Sequence, residues 1–330
     1  MIYSIYSLLV AAITFATVLM FGTLGEILTE RSGSLNLGVE GIMFMGGAFG
    51  LCGAFYYEQA VGQAASNGFV AIMIALLASF AAGAAASAIF AFLTITLRTN
   101  QNVTGLALSI FGTGVAQFTG ELMRVKQQGG FVSLSNHLKD SFTKPIFPKA
   151  LTDIPYIGDL VFGQNPFFYL AIAMVVAMHL YLFKTKSGMH LRAVGESPST
   201  ADAAGISTTK YKYLSAIIGG GISAIGGMVY ITNTAKCVWN HEGLSGVGWL
   251  AVALVIFCMW RPLRAIWGSI LFGAMMIMYL RIKIAFIPTE LYKILPYIVT
   301  VIVLIISSMR NNREQQPPAS LGLNFFREER

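Results

Sequence analysis

Runs of apolar residues long enough to cross a lipid bilayer constrain this chain more than any other feature. They lie at about 5–25, 37–57, 69–97, 103–120, 166–183, 213–231, 245–260, 265–280 and 291–308. A helix needs roughly 17–25 residues to cross the hydrocarbon core, and most of these runs reach that length. The runs 245–260 and 265–280 are marginal, separated only by Arg261-Pro262-Leu263-Arg264, a basic turn that suits a tight helical hairpin. Composition agrees, with 55% of the 330 residues hydrophobic and 11% charged, against about 25% charged in soluble domains. Such a chain has too little polar surface to cover itself in water. The predicted fold is all-α, a polytopic transmembrane helical bundle of about nine spans. Met1 to Gly25 contains no Lys or Arg, so it lacks the basic start of a signal peptide and reads as a retained first span.

The formal net charge is +7. A nucleic-acid surface would gather that charge into one basic stripe. Here the basic residues fall in short segments between apolar runs, which argues against nucleic acid and gives an orientation. With 184–212 inside, the inner segments hold Arg31, Arg98, Lys184, Lys186, Arg192, Lys210, Lys212, Arg261, Arg264, Arg310, Arg313, Arg327 and Arg330. The short outer loops hold only Lys236, Arg281, Lys283 and Lys293. The positive-inside rule then puts the N-terminus outside and the C-terminus inside, long loops such as 121–165 weighing little. Residues 1–310 form the membrane domain, with an inner segment at 186–212 and a long extracytoplasmic loop at 121–165. Residues 311–330, with Pro317-Pro318, are expected to be a polar, partly disordered cytoplasmic tail. Cys52, Cys237 and Cys258 are scattered, so neither a disulfide framework nor a zinc site is indicated.

Small residues recur four apart at Gly46 and Gly50, at Ser79, Gly83 and Ser87, and at Ala216, Gly220 and Ala224. This spacing lets helix backbones approach closely in lipid, where packing drives association.

Three polar stretches interrupt the apolar pattern. In 184–212, Ser197 can cap a helix that begins at Pro198 and ends before Gly205, although a plain interhelical loop fits as well. A helix of barely two turns is marginal in water, so something must hold it. In 25–41, Glu26 and Glu40 can pair with Arg31, and Asn36 can cap the next helix. Broken helices at membrane depth are tolerated where they line a cavity or pathway, which makes Asn36 and Glu40 pathway candidates. In 98–105, Asn102 and Thr104 open a span and either face the pathway or form a solvated turn.

No Gly-x-x-x-x-Gly-Lys-Ser/Thr loop occurs, so ATP binding by that route is excluded. No metal set, nucleophilic triad or other enzyme constellation appears, and no cofactor is implied. Chains of acidic residues deep in spans and internal repeats, expected of an ion-coupled secondary transporter, are also missing. Uphill movement would then need energy from another subunit.

Residues 25–41 (GEILTERSGSLNLGVEG), 97–108 (LRTNQNVTGLAL) and 191–206 (LRAVGESPSTADAAGI) resemble the signature stretches of ABC importer permeases of the ribose and nucleoside type. The endings 317–323 (PPASLGL) and 326–330 (FREER) resemble the shorter of two permeases in nucleoside-uptake operons. The resemblance implies a multi-pass protein of the bacterial inner membrane working in an import complex. It would join a second permease in a heterodimer, an ATP-binding-cassette ATPase and an extracytoplasmic substrate-binding lipoprotein. It also implies that Gly195, Glu196, Ser197, Pro198, Ala201, Asp202, Ala204 and Gly205 form the coupling helix that docks in the ATPase. Glu196 and Asp202 would meet basic residues of the ATPase, while Ala201 and Ala204 permit close docking. Ribose-type permeases usually carry another helix before the one matching 5–25, which leaves the span count open by one. Nucleosides are the expected cargo, with sugars the neighbouring possibility.

Overall fold

The computed structural model describes residues 2–127, 130–155, 158–281, 289–309 and 316–326. Lys283, Arg310, Arg313, Arg327 and Arg330, used above for orientation, lie outside them. The chain runs through α1 (Ile2–Glu30), α2 (Val39–Val61), α3 (Gly68–Ala91) and α4 (Gln101–Lys126), with a π-helical turn at Phe92–Thr96 prolonging α3. Three short pieces follow: α5 (Asn136–Thr143), α6 (Lys149–Thr152) and a π-helical turn at Gly158–Phe162. Next come α7 (Pro166–Lys184), α8 (Lys186–Glu196), α9 (Pro198–Ala203) and α10 (Thr208–Val229), the last prolonged by Tyr230–Thr234. The chain closes with α11 (Val247–Phe257), α12 (Pro262–Arg281) and α13 (Thr289–Met309).

The fold is all-helical among the described residues. Six helices are long and apolar enough to cross a membrane: Tyr6–Glu30, Val39–Val61, Gly68–Thr96, Gln101–Lys126, Pro166–Lys184 and Thr208–Thr234. Val247–Phe257, Pro262–Met278 and Ile294–Ile305 are shorter apolar helices. Local chemistry sets several starts. Asn67 accepts from the Phe69 amide at 2.9 Å to open α3, and Asn165 accepts from Phe168 at 3.1 Å to open α7, whose first residue is Pro166. The reversal between α11 and α12 is tight, with Met259 and Trp260 both at φ 54°.

The spans divide into inner and outer ones. In their most apolar stretches, 67% of α1 and 78% each of α2 and α10 are buried, against 28% of α3 and α7. The small residues make this centre possible. A Cβ on Gly46 would collide with the Ala224 backbone, and one on Gly83 with Gly220 and Ala224. Gly220 in turn faces Ser87, and Gly50 meets Met228. The predicted four-residue spacings therefore form one seam joining α2, α3 and α10. A second seam, absent from the sequence reading, joins α1 to α10 where Gly25 meets Gly219 and Ser223. On the periphery, α4 presents Val103, Leu106, Ile110, Phe118, Leu122 and Val125 to the outside, an apolar stripe that lipid or another membrane subunit would cover.

The connections sort to two ends. At one, Tyr6 donates to Asp159 (3.1 Å), the Ser135 amide donates to Glu58 (3.2 Å), and the Trp239 amide donates to the Val132 carbonyl (3.1 Å). His241 and Glu121 approach there to 3.0 Å. At the other end lie residues 31–38, 97–101, 185–207 and 258–261.

The seam is testable. Gly46→Ala should lower stability by roughly 1–3 kcal/mol through overpacking, whereas Gly114, with nothing within 4 Å of an added Cβ, should accept alanine with little change. Thermal unfolding of both variants in one detergent decides it.

Candidate functional site

At the second end the chain builds two short helices in series. Thr185 takes the Gly188 amide at 3.0 Å and opens α8. Ser197 takes the Thr200 amide at 3.4 Å and opens α9, with Pro198 in its first turn. Gly205 at φ 80° and the bond from the Ile206 amide to the Ala201 carbonyl (3.0 Å) close it. A left-handed glycine just past the last turn is the expected helix stop. The short helix anticipated at Pro198–Ala204 is thus present as Pro198–Ala203 rather than as a plain loop. Its partner α8 is marked in the sequence only by Gly188, Leu191, Val194 and Gly195, one buried face at helical spacing.

The coupling candidates do not share one surface. Glu196, Ala204 and Gly205 are exposed, and Ser197, Pro198 and Asp202 are half-buried. Ala201 is buried at 3% exposure, so it packs inward and leaves close docking of a partner to Ala204. Gly195 is buried against Arg31 and Gly33, where a Cβ would overlap the Arg31 carbonyl oxygen. The end of α8 therefore rests on the break between α1 and α2.

The polar residues of that break are inside the protein, with Ser32, Ser34 and Asn36 each at 1% exposure or less, while Leu35 and Leu37 are half-buried. Its polar groups are answered from several directions. The Gly33 amide returns to the Glu30 carbonyl at 2.8 Å, with Gly33 at φ 86°. The Leu35 amide donates to Gln101 Oε1 (2.8 Å) and the Asn36 amide to Glu26 Oε1 (3.2 Å). Asn36 Oδ1 accepts from the Gly38 amide at 2.9 Å. Asn36 thus closes a turn within the break, while the cap position of α2 falls to Gly38 without a side-chain bond.

The expected pairing of Arg31 with Glu26 or Glu40 does not form. Arg31 Nε donates to the Trp260 carbonyl (3.1 Å), and Trp260 Nε1 donates to Glu30. Burial, and next the nearby Arg192, lower the Arg31 pKa to about 10, which leaves it charged at neutral pH. Glu40 lies elsewhere, accepting from the amides of Gly246 (2.6 Å), Gly248 (2.6 Å) and Trp249 (3.3 Å). It neutralises the start of α11, where the unpaired amides of a helix end and its dipole favour an anion.

Asn102 is exposed on the first turn of α4. Thr104 is half-buried and bonded to the Asn100 carbonyl (2.8 Å) and Thr99 (2.9 Å). The cap of α4 is Asn100, which takes the Val103 amide at 3.1 Å. The residue that ties this region to the break is Gln101, which sequence reasoning passed over. Its Nε2 reaches the Leu323 carbonyl (3.4 Å) and Asn324 (3.2 Å), while its Oε1 serves Leu35.

The tail also departs from expectation. Residues 316–326 lie against this end instead of trailing from it. Ser320 bonds the Gly195 carbonyl through its amide (3.0 Å) and its hydroxyl (2.5 Å), and the Gly322 amide donates to Gly33 (3.1 Å). Asn324 Nδ2 donates to the carbonyls of Arg98 (2.7 Å) and Thr99 (3.1 Å), and the Ala319 amide to Glu196 (3.4 Å). These partners are carbonyls and one carboxylate of distant segments, invisible to composition alone.

Gln101→Ala should leave the half-buried Leu35 amide without a partner and cost roughly 1–3 kcal/mol. Asn102→Ala, at an exposed neighbour, should stay within about 0.5 kcal/mol of the parent. Denaturation midpoints of the two variants compare them directly.

Comparison with known proteins supplies the family. The profile described as "Branched-chain amino acid transport system / permease component" matches residues 8–304. The chain is 35% identical over 274 residues to the putative glucose ABC transporter permease protein TsgC13 of Haloferax volcanii, covering 83% of this chain and 77% of that one. It is 34% identical over 274 residues to the guanosine ABC transporter permease protein NupQ of Bacillus subtilis, covering 82% of each. It is 29% identical over 298 residues to the nucleoside ABC transporter permease protein NupC of Lactococcus lactis, covering 88% of each. No solved structure matches. The resemblance drawn from 25–41, 97–108 and 191–206 therefore holds along most of the chain, which belongs to the family of branched-chain amino acid transport system permease components.

Proposed function

We propose that this chain is the permease subunit of an ATP-binding-cassette importer for nucleosides, with sugars the second cargo class. The observation that carries the coupling role is the placement of α8 and α9. Glu196, Ala204 and Gly205 are turned outward, while Gly195 at the end of α8 rests on the α1–α2 break. An ATPase that pulls on residues 195–205 then moves the break through direct contact rather than through a flexible loop. The nucleoside preference rests on the relatives named for guanosine and nucleoside transport and on the sequence of the tail.

In this reading the basic end of the bundle faces the cytoplasm, and the end carrying 121–165 meets an extracytoplasmic binding lipoprotein. The chain lies in the bacterial inner membrane and pairs with a second permease, so it lines half of the route. Among the pathway candidates, Asn36 and Glu40 hold the frame of the route. Asn102 and Thr104 stand at its cytoplasmic mouth. An ion-coupled carrier fits less well, because the buried carboxylates are committed to structure. Glu26, Glu40 and Glu58 accept backbone amides and Glu30 accepts the Trp260 indole.

The test is co-purification with the proteins of the same operon, comparing wild type with Glu196→Arg/Asp202→Arg. The ATPase should accompany wild type and be lost from the double variant. Retention in both would move the docking surface off α9, and absence from both folded samples would remove the importer reading. Uptake of radiolabelled guanosine against glucose in cells carrying the whole complex separates the cargo classes.

A further inference from the structure

A cavity of about 430 Å³ opens at the same end, between the close of α3, the start of α4, the α9–α10 connection and the tail. Lys212 lies one turn into α10 on the face that carries Thr208, is only 5% exposed and borders the cavity. Among the described residues no carboxylate or other acceptor meets its ammonium. A buried unpaired charge is costly, and a lysine is seldom held this way without a counterion.

One further cation stands in the lining. Arg98 borders the cavity with its guanidinium 4.8 Å over the ring of Phe326, so the tail orders this second cation. The cap and first turn of α10, a 22-residue helix, bring Ser207, Thr208 and Thr209 to the cavity wall. First-turn amides have no partner within a helix, and the dipole there favours an anion. Asp202 also borders the cavity. Among the described residues the lining thus sets two cations and a helix N-terminus against one carboxylate.

We propose that this cavity is a binding site for a phosphate-bearing anion. The charge matches a phosphate monoester, which carries about −1.5 to −2 at neutral pH and three acceptor oxygens. Lys212 and Arg98 answer the charge, and the hydroxyls and amides of 207–209 answer the remaining oxygens. The volume exceeds what a monatomic ion fills and leaves room for an organic group on the phosphate. Occupation would tie the α9–α10 connection to the tail and to the start of α4, which gives a cytoplasmic anion a hold on the segment proposed to couple. This site goes beyond the transport reading and stands without it.

Thermal unfolding of the purified full chain decides the matter, in detergent and in phosphatidylcholine nanodiscs, with inorganic phosphate titrated against chloride at matched ionic strength. A parallel arm replaces phosphatidylcholine with phosphatidylglycerol and omits phosphate. Phosphate should raise the wild-type midpoint saturably, with an apparent affinity at least about tenfold weaker in Lys212→Met and in Arg98→Gln. Without ligand, Lys212→Met should unfold at or above the wild-type temperature, because an unpaired buried charge is gone. Stabilisation of wild type but not the variants by phosphatidylglycerol alone would keep the site and make a lipid headgroup its source of phosphate. Equal shifts in wild type and both variants, or no shift in either arm, would overturn the proposal. So would a ligand-free Lys212→Met that unfolds well below wild type.

Discussion

A helix interrupted inside a protein has no water to satisfy its freed backbone groups, and the interruption between α1 and α2 sets what its surroundings must supply. Residues 32–38 leave the helical hydrogen-bond pattern while most of them remain buried. Their amides are taken up by Glu26 from the preceding helix and by Gln101 from the start of α4, while the Gly33 carbonyl receives the Gly322 amide of the tail. Each partner is thereby pinned, so one break positions the mouth of α4, the end of α8 and residues 316–326. The same requirement operates at α11, whose buried start is satisfied by Glu40 from α2.

Around this polar frame the helices need to come unusually close. Lipid tails are as apolar as leucine, so burying large side chains gains little and backbone contact gains more. Gly46, Gly83 and Gly220 allow α2, α3 and α10 to touch along their backbones, and Gly25 with Gly219 does the same for α1 and α10. The inner helices thus form a rigid core. The α8–α9 unit bears on its edge at Gly195, where a small displacement meets a stiff neighbour.

Much of this was legible from residue spacing because the causes are local. The apolar runs coincide with the helices, since length and hydropathy are properties of a single segment. Ser197, Pro198 and Gly205 announced α9, because caps and stops act within a few residues. Partners far along the chain leave no such local mark. Arg31 had acidic neighbours in sequence, yet it donates to the Trp260 carbonyl, 229 residues away. Asn36 was read as a cap and Gln101 as part of a solvated turn. In the folded chain Asn36 closes a turn inside the break, and Gln101 is a buried bridge. The tail looked disordered because composition measures what a segment can bury by itself, and residues 318–324 are ordered by carbonyls and side chains supplied by others.

The amino-acid sequence by itself determined that this chain is a helical membrane protein, where most of its helices run, and that a short capped helix starts at Pro198 and stops before Gly205. Those features depend on hydrophobic length and on hydrogen bonds that close within one turn. The tertiary structure alone decided that Glu40 serves α11, that Gln101 and the tail seal the α1–α2 break, and that Lys212 is buried beside a cavity that Arg98 also borders. Those outcomes depend on which distant backbone groups arrive without partners of their own, and that is settled only when the helices pack.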